Sequence, residues 1–370
     1  MLPDTGVMRA MIERATTAAA ERALHHPHPG LEGLAALLSP AAEPLLGRLA
    51  ARSAALTRQR FGRAIGLYAP LYLHNYCINS CGYCGFAAGN RIARRLLTLE
   101  EAEAEAEILL ARGFQHLLLV AGEAPARMGA DYLAELAGRL RDRFASLSIE
   151  VQPLSTSDYA RLFAAGITSV AIYQETYDPE VYRRMHPAGP KSDYGQRLDT
   201  PARAAAAGMR EVGIGALLGL ADWRLEGLAL GHHLAWLRKR FWRTGFTVSF
   251  PRIRPAAGEF APLMPVTEAN LSQLMFALRL FDPDVGLVLS TREEARFRDG
   301  MIGLAPTRYS AGSCTAPGGY GGEPGSGEQF AIGDLRSLDE VAAAIRRHGY
   351  DPVRKDWDAC FQQVDRGLAA

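Results

Sequence analysis

The sequence predicts an α/β chain centred on a closed (β/α)₈ barrel of the TIM type, with a helical N-terminal extension and a C-terminal extension. Short apolar runs alternate with stretches of helical length, the runs number eight, and polar residues recur where the runs end. Alternation of this kind argues for a parallel sheet, eight strands close a barrel, and barrels of this class carry their sites at the strand C-termini. The runs are Leu71–His74, His116–Ala121, Leu147–Gln152, Ser169–Tyr173, Gly213–Leu218, Thr247–Phe250, Gly286–Ser290 and a weaker one near Gly303–Ala305. Helices are expected over Glu100–Arg112, Asp131–Phe144, Ser157–Ala165, Pro201–Met209, Leu228–Arg240 and Glu268–Leu280.

Residues 1–66 are alanine-rich and read as helices with a break around Pro27–Gly30. Residues 67–312 then form the barrel, and 313–370 supply a loop and a helix, about Ser337 to His348, that close it. The stretch Ala316–Gly327, rich in Gly and Pro, reads as a mobile loop at the barrel top. Of 370 residues, 48% are hydrophobic and 22% charged, enough to bury a sizeable core. The formal charge of +1, from 41 basic and 40 acidic residues, gives no reason to expect nucleic acid or an anionic membrane as partner. The N-terminus lacks the apolar core of a signal peptide, and no stretch is long and apolar enough to span a bilayer, so a cytoplasmic protein with reduced thiols is expected.

Five cysteines are present, and three fall in Cys77-Ile-Asn-Ser-Cys81-Gly-Tyr-Cys84-Gly-Phe86. An odd count and this clustering argue for a metal site instead of a disulfide framework. Three thiolates from one loop can hold three irons of a cubane and leave the fourth iron open to a small chelating molecule. A closed zinc site would want a second cysteine pair, and Cys314 and Cys360 are isolated.

This loop at the end of a first barrel strand resembles that of the radical S-adenosylmethionine (SAM) superfamily. The resemblance implies a [4Fe–4S] cluster on Cys77, Cys81 and Cys84, with the open iron binding SAM and a 5′-deoxyadenosyl radical formed by one-electron cleavage. It further implies that Tyr83 and Phe86 flank the adenine, that Gly122 and Glu123 receive the SAM amino group, that Glu175 bonds the ribose and that Arg197 pairs with the methionyl carboxylate. For Glu123 and Glu175 the competing reading is a solvated carboxylate or helix cap. Gly213-Ile-Gly215-Ala-Leu-Leu-Gly219 suits a strand whose backbone approaches the adenine.

A finer resemblance rests on Leu71-Tyr-Leu-His-Asn75, His116-Leu-Leu-Leu-Val-Ala-Gly-Glu123, Glu150-Val-Gln-Pro153, Tyr173-Gln-Glu-Thr-Tyr177, Arg197-Leu-Asp-Thr-Pro201, Val248-Ser-Phe-Pro-Arg252, Leu289-Ser-Thr-Arg-Glu293, Pro317-Gly-Gly-Tyr320 and Lys355-Asp-Trp-Asp358. These blocks, in this order, resemble the 2-iminoacetate synthase family, the tyrosine lyases of thiamine thiazole biosynthesis. The resemblance implies cleavage of the Cα–Cβ bond of L-tyrosine to 2-iminoacetate (dehydroglycine) and p-cresol, begun by hydrogen abstraction from the amino nitrogen. It implies an electron donor such as flavodoxin or ferredoxin, and thiazole synthase as the partner that receives the unstable imine.

Within that family Arg292 is expected to take the substrate carboxylate, with Tyr72 and Ser310 beside the substrate backbone. The competing readings are a salt bridge from Arg292 to Glu293 or Glu294, a core aromatic for Tyr72 and a turn hydroxyl for Ser310. No residue is assigned as base for the phenol. A tryptophan lyase and a non-catalytic iron–sulfur protein remain alternatives. The related lyase that matures hydrogenase iron carries a C-terminal cysteine motif that this sequence lacks.

Overall fold

The computed structural model describes residues 4–322 and 327–355. Lys355-Asp-Trp-Asp358 lies almost wholly beyond these, as does Cys360.

Four helices come first: α1 (Thr5–Glu13), α2 (Thr17–His25), α3 (Gly30–Leu38) and, after a 3-10 turn at Pro40–Leu45, α4 (Leu46–Phe61). The break between α2 and α3 falls where proline and glycine stand in the sequence. The barrel alternates β1 (Ala64–His74), α5 (Leu99–Ala111), β2 (His116–Ala121), α6 (Ala130–Leu140), β3 (Ser146–Glu150), α7 (Thr156–Ala165) and β4 (Ile167–Ala171). It continues through α8 (Pro179–Met185), α9 (Tyr194–Ala206), β5 (Glu211–Gly215), α10 (Trp223–Arg240), β6 (Gly245–Ser249), α11 (Glu268–Phe281), β7 (Gly286–Leu289), α12 (Ala295–Gly300) and β8 (Arg308–Ser310). The C-terminal part adds α13 (Leu338–Arg347) and β9 (Asp351–Val353).

All pairings between named strands are parallel, in the order β2-β3-β4-β5-β6-β7-β8-β1 with β1 returning to β2, so the predicted eight-stranded barrel closes. β1 is long enough to pair three ways: Ala69–His74 with β2, Gly66–Tyr68 with β8, and Ala64–Gly66 with β9. It begins inside what the sequence suggested was still helical extension. Helices α3 and α4 pack on α10 and α11, and one apolar core runs continuously from Met8 to Ile345. Capping boxes at Thr98–Glu101 and Ser337–Glu340 fix where α5 and α13 start.

The eighth strand is misplaced in the sequence reading. Gly303–Ala305 is a turn, with Gly303 at φ 77° and the Tyr350 ring where a Cβ would stand. The real strand, Arg308–Ser310, has three residues, too few to show a period. Helix α6 stops at Leu140, short of the expected Phe144, and α8 and α12 were not foreseen. The first part of the Gly-rich stretch is anchored: Tyr320 Oη donates to the Pro70 carbonyl at 2.6 Å, and the backbone N–H groups of Tyr320 and Gly321 donate to Glu105.

The barrel floor is sealed by an ion pair between Arg308 and Glu211, at 2.6 and 3.1 Å. The C-terminal part is locked on by Arg298, fully buried, which donates to Asp334 and to the Ser310 carbonyl. Removing one member of such a pair strands the other charge in the core. Asp334→Ala should therefore cost about 3–5 kcal/mol, read as a fall in the urea midpoint, and Asp334→Asn, which keeps an acceptor, should cost less.

Candidate functional site

Two cavities meet at the C-terminal mouth of the barrel. The larger, about 120 Å³, is bordered by Tyr72, Tyr83, Arg292 and Ser310 among others; the smaller, about 70 Å³, by Cys77, Cys81, Cys84, Phe86, Gly122, Glu123 and Arg197. Cys84, Glu150, Tyr173, Glu175, Lys191 and Gln329 border both, so the chambers adjoin. Tyr72, Arg292 and Ser310 border the larger chamber and Cys77, Cys81, Phe86, Gly122, Glu123 and Arg197 the smaller, while Cys84 and Glu175 border both and Tyr83 borders the larger.

The cysteine loop has few regular hydrogen bonds of its own and is held from outside. The Arg94 guanidinium donates to the carbonyls of Asn75, Phe86, Ala87 and Asn90, gathering both ends of the loop. Asn79, between the first two cysteines, donates to Glu123 Oε2 at 2.7 Å, reaches Cys77 Sγ at 3.7 Å, and accepts from the Lys191 N–H. Gly122 lets the chain pass: a Cβ there would stand 2.2 Å from the Tyr76 carbonyl oxygen. Gly85 has the same role against the Gln329 carbonyl, at 2.5 Å. Among the described residues no three His, Cys, Asp or Glu side chains converge as a site for one ion. The thiols border a cavity instead of meeting at a point.

Two buried carboxylates and two cations line the seam. Arg197, in the first turn of α9, donates from Nη1 to Glu123 at 2.7 Å and from Nε to the Tyr173 carbonyl, and its Nη2 stands 3.5 Å from Glu175. Lys191 Nζ donates to Glu175 at 2.7 Å. Burial pushes both carboxyls up, but the Arg197 and Lys191 charges outweigh it and hold both below the ordinary glutamate value. Glu175 has a left-handed backbone, φ 69°, unusual for a residue with a Cβ. The turn is fixed from beneath by Glu226, which accepts from Thr176 Oγ1 and the Tyr177 N–H.

In the larger chamber Arg292 lies over the Phe330 ring, its guanidinium carbon 3.3 Å from the centroid. It makes no salt bridge to Glu293, which Arg252 and Arg254 occupy. Tyr72 Oη donates to Gln329 Oε1 at 2.6 Å, and the same amide's Nε2 is 3.9 Å from Cys84 Sγ. Ser310 Oγ accepts from the Thr291 N–H at 2.9 Å. Tyr83 Oη is 2.8 Å from His186 Nε2. At Gly215 the close approach is to the Tyr173 ring and the Ser249 carbonyl, within the protein itself.

Sequence reasoning did not single out Asn79, Arg94, Lys191 or Gln329. Each lies in a loop and acts on residues brought close by the fold, so no local spacing marks it. Glu150 stood inside a quoted block but without a role.

Residues 71–229 match the model of the radical SAM superfamily, and 249–351 that of the biotin and thiamin synthesis associated domain. The chain is 44% identical to the 2-iminoacetate synthases of Salmonella typhimurium, over 95% of this chain and 94% of that one, and of Escherichia coli, over 99% and 97%. Among solved structures it resembles HydG, a maturase of the [FeFe]-hydrogenase, with TM-score 0.90 and 33% identity over 98% of this chain and 83% of that one. Methylornithine synthase shares the fold, with TM-score 0.73 at 21% identity over 94% and 99%.

Because Arg94 satisfies four loop carbonyls, Arg94→Met should loosen the cysteine loop in the metal-free protein. Losing about 1–3 kcal/mol of local stability corresponds to roughly 5- to 150-fold faster labelling of Cys81 by a thiol reagent, with the global unfolding midpoint moved far less.

Proposed function

Because the chain belongs to the 2-iminoacetate synthase family of radical SAM enzymes, we propose that it cleaves the Cα–Cβ bond of L-tyrosine, giving 2-iminoacetate and p-cresol for thiamine thiazole assembly. It is a carbon–carbon lyase of the radical SAM type. The observation that carries the substrate reading is the adjoining pair of chambers: three thiols around one, and in the other a half-buried arginine with no carboxylate salt bridge among the described residues.

The residues present suit a [4Fe–4S] cluster. Three thiols from one loop border one cavity, and side-chain amides of Asn79 and Gln329 are directed at two of the sulfurs, as donors that stabilise thiolates would be. Burial pushes the Cys81 thiol up to about 12, so in the absence of iron it stays protonated. When bound, the cluster and SAM supply the one-electron chemistry that removes a hydrogen atom from the substrate. Glu123 and the Gly122 backbone are the proposed receivers of the SAM amino group, Glu175 of the ribose hydroxyls, and Phe86 a flank of the adenine, whereas Tyr83 borders the larger chamber. Arg197 has only Nη2 lightly engaged, and that arm is what it offers the methionyl carboxylate.

Arg292 holds the tyrosine carboxylate, with Tyr72 and Ser310 beside the substrate backbone. Gln329 and Phe330, from the C-terminal part, cover the junction of the chambers and keep water from it. We assign the described helices up to Phe61 as an extension, Ala64–Ser310 as the barrel and the described residues after Ser310 as its closure. Thiazole synthase at the barrel mouth and flavodoxin or ferredoxin as donor complete the reading. Among the described residues no helix is long and apolar enough to cross a membrane.

The test is anaerobic reconstitution with reductant, SAM and either L-tyrosine or L-tryptophan, followed by chromatography. Deoxyadenosine with p-cresol and glyoxylate, the hydrolysis product of the imine, is expected from tyrosine. An indole product from tryptophan alone would move the substrate, and no deoxyadenosine from a verified cluster would end the reading. Cys81→Ser should lose iron and all products. Arg292→Leu should raise the KM for tyrosine roughly 10- to 100-fold, the worth of a charge-assisted hydrogen bond.

A further inference from the structure

Glu150 is the last residue of β3 and borders both chambers at their junction. No hydrogen bond or ion pair from any described residue reaches its carboxylate, whereas Glu123 and Glu175 beside it are paired with Arg197 and Lys191, and Glu226 is bonded through the Thr176 hydroxyl and the Tyr177 N–H. A carboxylate half-buried between two cavities without a protein donor has forgone part of its solvation. A donor brought by a ligand would remove that cost. Arg292 borders the same chamber, a half-buried cation with no carboxylate salt bridge from any described residue. An unpaired anion and an unpaired cation facing one cavity are complementary to a molecule carrying an amine and a carboxylate.

We propose that Glu150 binds the α-amino group of the amino-acid substrate, holding it at the junction of the two chambers while Arg292 holds the α-carboxylate. The inference rests on the lyase reading above and adds to it the group that fixes the reacting nitrogen. In an α-amino acid the nitrogen and the carboxylate share one carbon, so two opposite charges in one chamber determine which way the amine points. Glu150 borders the thiol chamber as well, and so turns the amine toward it, leaving the ring to the rest of the larger cavity. The substrate enters as an ammonium. One N–H bond breaks, the proton passes to a Glu150 carboxylate oxygen, and the electron pair stays on nitrogen as the lone pair of a neutral amine. Burial, with Glu175 nearby, pushes the Glu150 carboxyl up to about 7, nearer to an α-ammonium than an ordinary carboxyl lies, which eases the transfer.

The measurement is equilibrium binding to the anaerobic, SAM-loaded holoenzyme of three ligands: L-tyrosine, 3-(4-hydroxyphenyl)propanoate, which lacks the amine, and tyramine, which lacks the carboxylate. Wild type should prefer tyrosine over the propanoate by roughly 10- to 100-fold. Glu150→Leu should reduce that preference to within about threefold while leaving the preference over tyramine in place. Arg292→Leu should do the reverse. Glu150→Gln, which keeps the volume and an acceptor oxygen, should lie between, and it guards against a misfolded leucine variant, whose iron content would also be low. Wild-type preference for the amine retained in both Glu150 variants overturns the proposal while the lyase reading stands. A wild-type enzyme that binds none of the three overturns the lyase reading and this inference with it.

Discussion

The arrangement depends most on one buried charge cluster, in which Arg197 and Lys191 neutralise Glu123 and Glu175. The four groups come from four places: the end of β2, the turn after β4, the 3-10 turn before α9 and the first turn of α9 itself. At separations near 3 Å in a medium poorer than water, unlike charges attract by several kcal/mol, and any one left alone would repel its surroundings by as much. The cluster holds together only complete. That completeness ties the cysteine loop to it, since Asn79 bonds Glu123 and the Lys191 backbone at once. The strained backbone at Glu175 is maintained by the same logic, because Glu226 occupies the two donors that a relaxed turn would release.

Closure of the site is a property of distant chain segments. Gly85 and Gly327 allow the C-terminal segment to lie against the cysteine loop, and Gln329 then touches the Tyr72 hydroxyl with one end of its amide and the Cys84 thiol with the other. Arg298 and Asp334 anchor that segment to β8. A barrel of this sort has no wall over its mouth, so water must be excluded by whatever follows the last strand. Here that part packs into the same continuous core as the barrel.

What the sequence made legible follows from what is local. Strands of four or more residues with flanking helices carry their own period, and seven of the eight barrel strands were placed by it; β8, with three residues, carries none. Three thiols in one loop announce themselves by spacing. Arg292 stands after β7, as its apolar run suggests, whereas Ser310, the last residue of β8, was named only through the family resemblance. Arg94, Asn79, Lys191 and Gln329 could not be placed, since a loop residue that bonds carbonyls or carboxylates far along the chain looks like any polar loop residue. Tyr83, expected with Phe86 to flank the adenine, borders the other chamber, its hydroxyl 2.8 Å from His186 Nε2.

The charged groups at the mouth fall into two kinds, and the difference separates scaffold from binding surface. Arg197, Lys191, Arg252, Arg254, Arg298 and Glu226 are buried or partly buried, and each is engaged by the protein's own acceptors or donors. Each such pairing meets a desolvation cost already incurred in folding, and each rigidifies a turn that positions something else. Arg292 and Glu150, each half-buried beside the larger cavity, incur part of that cost without such a pairing among the described residues. A fold gains little by withdrawing an unmatched cation and an unmatched anion from water, unless the missing partners arrive with a ligand. In the proposed reading, stability forgone at those two positions returns as binding energy for a zwitterion.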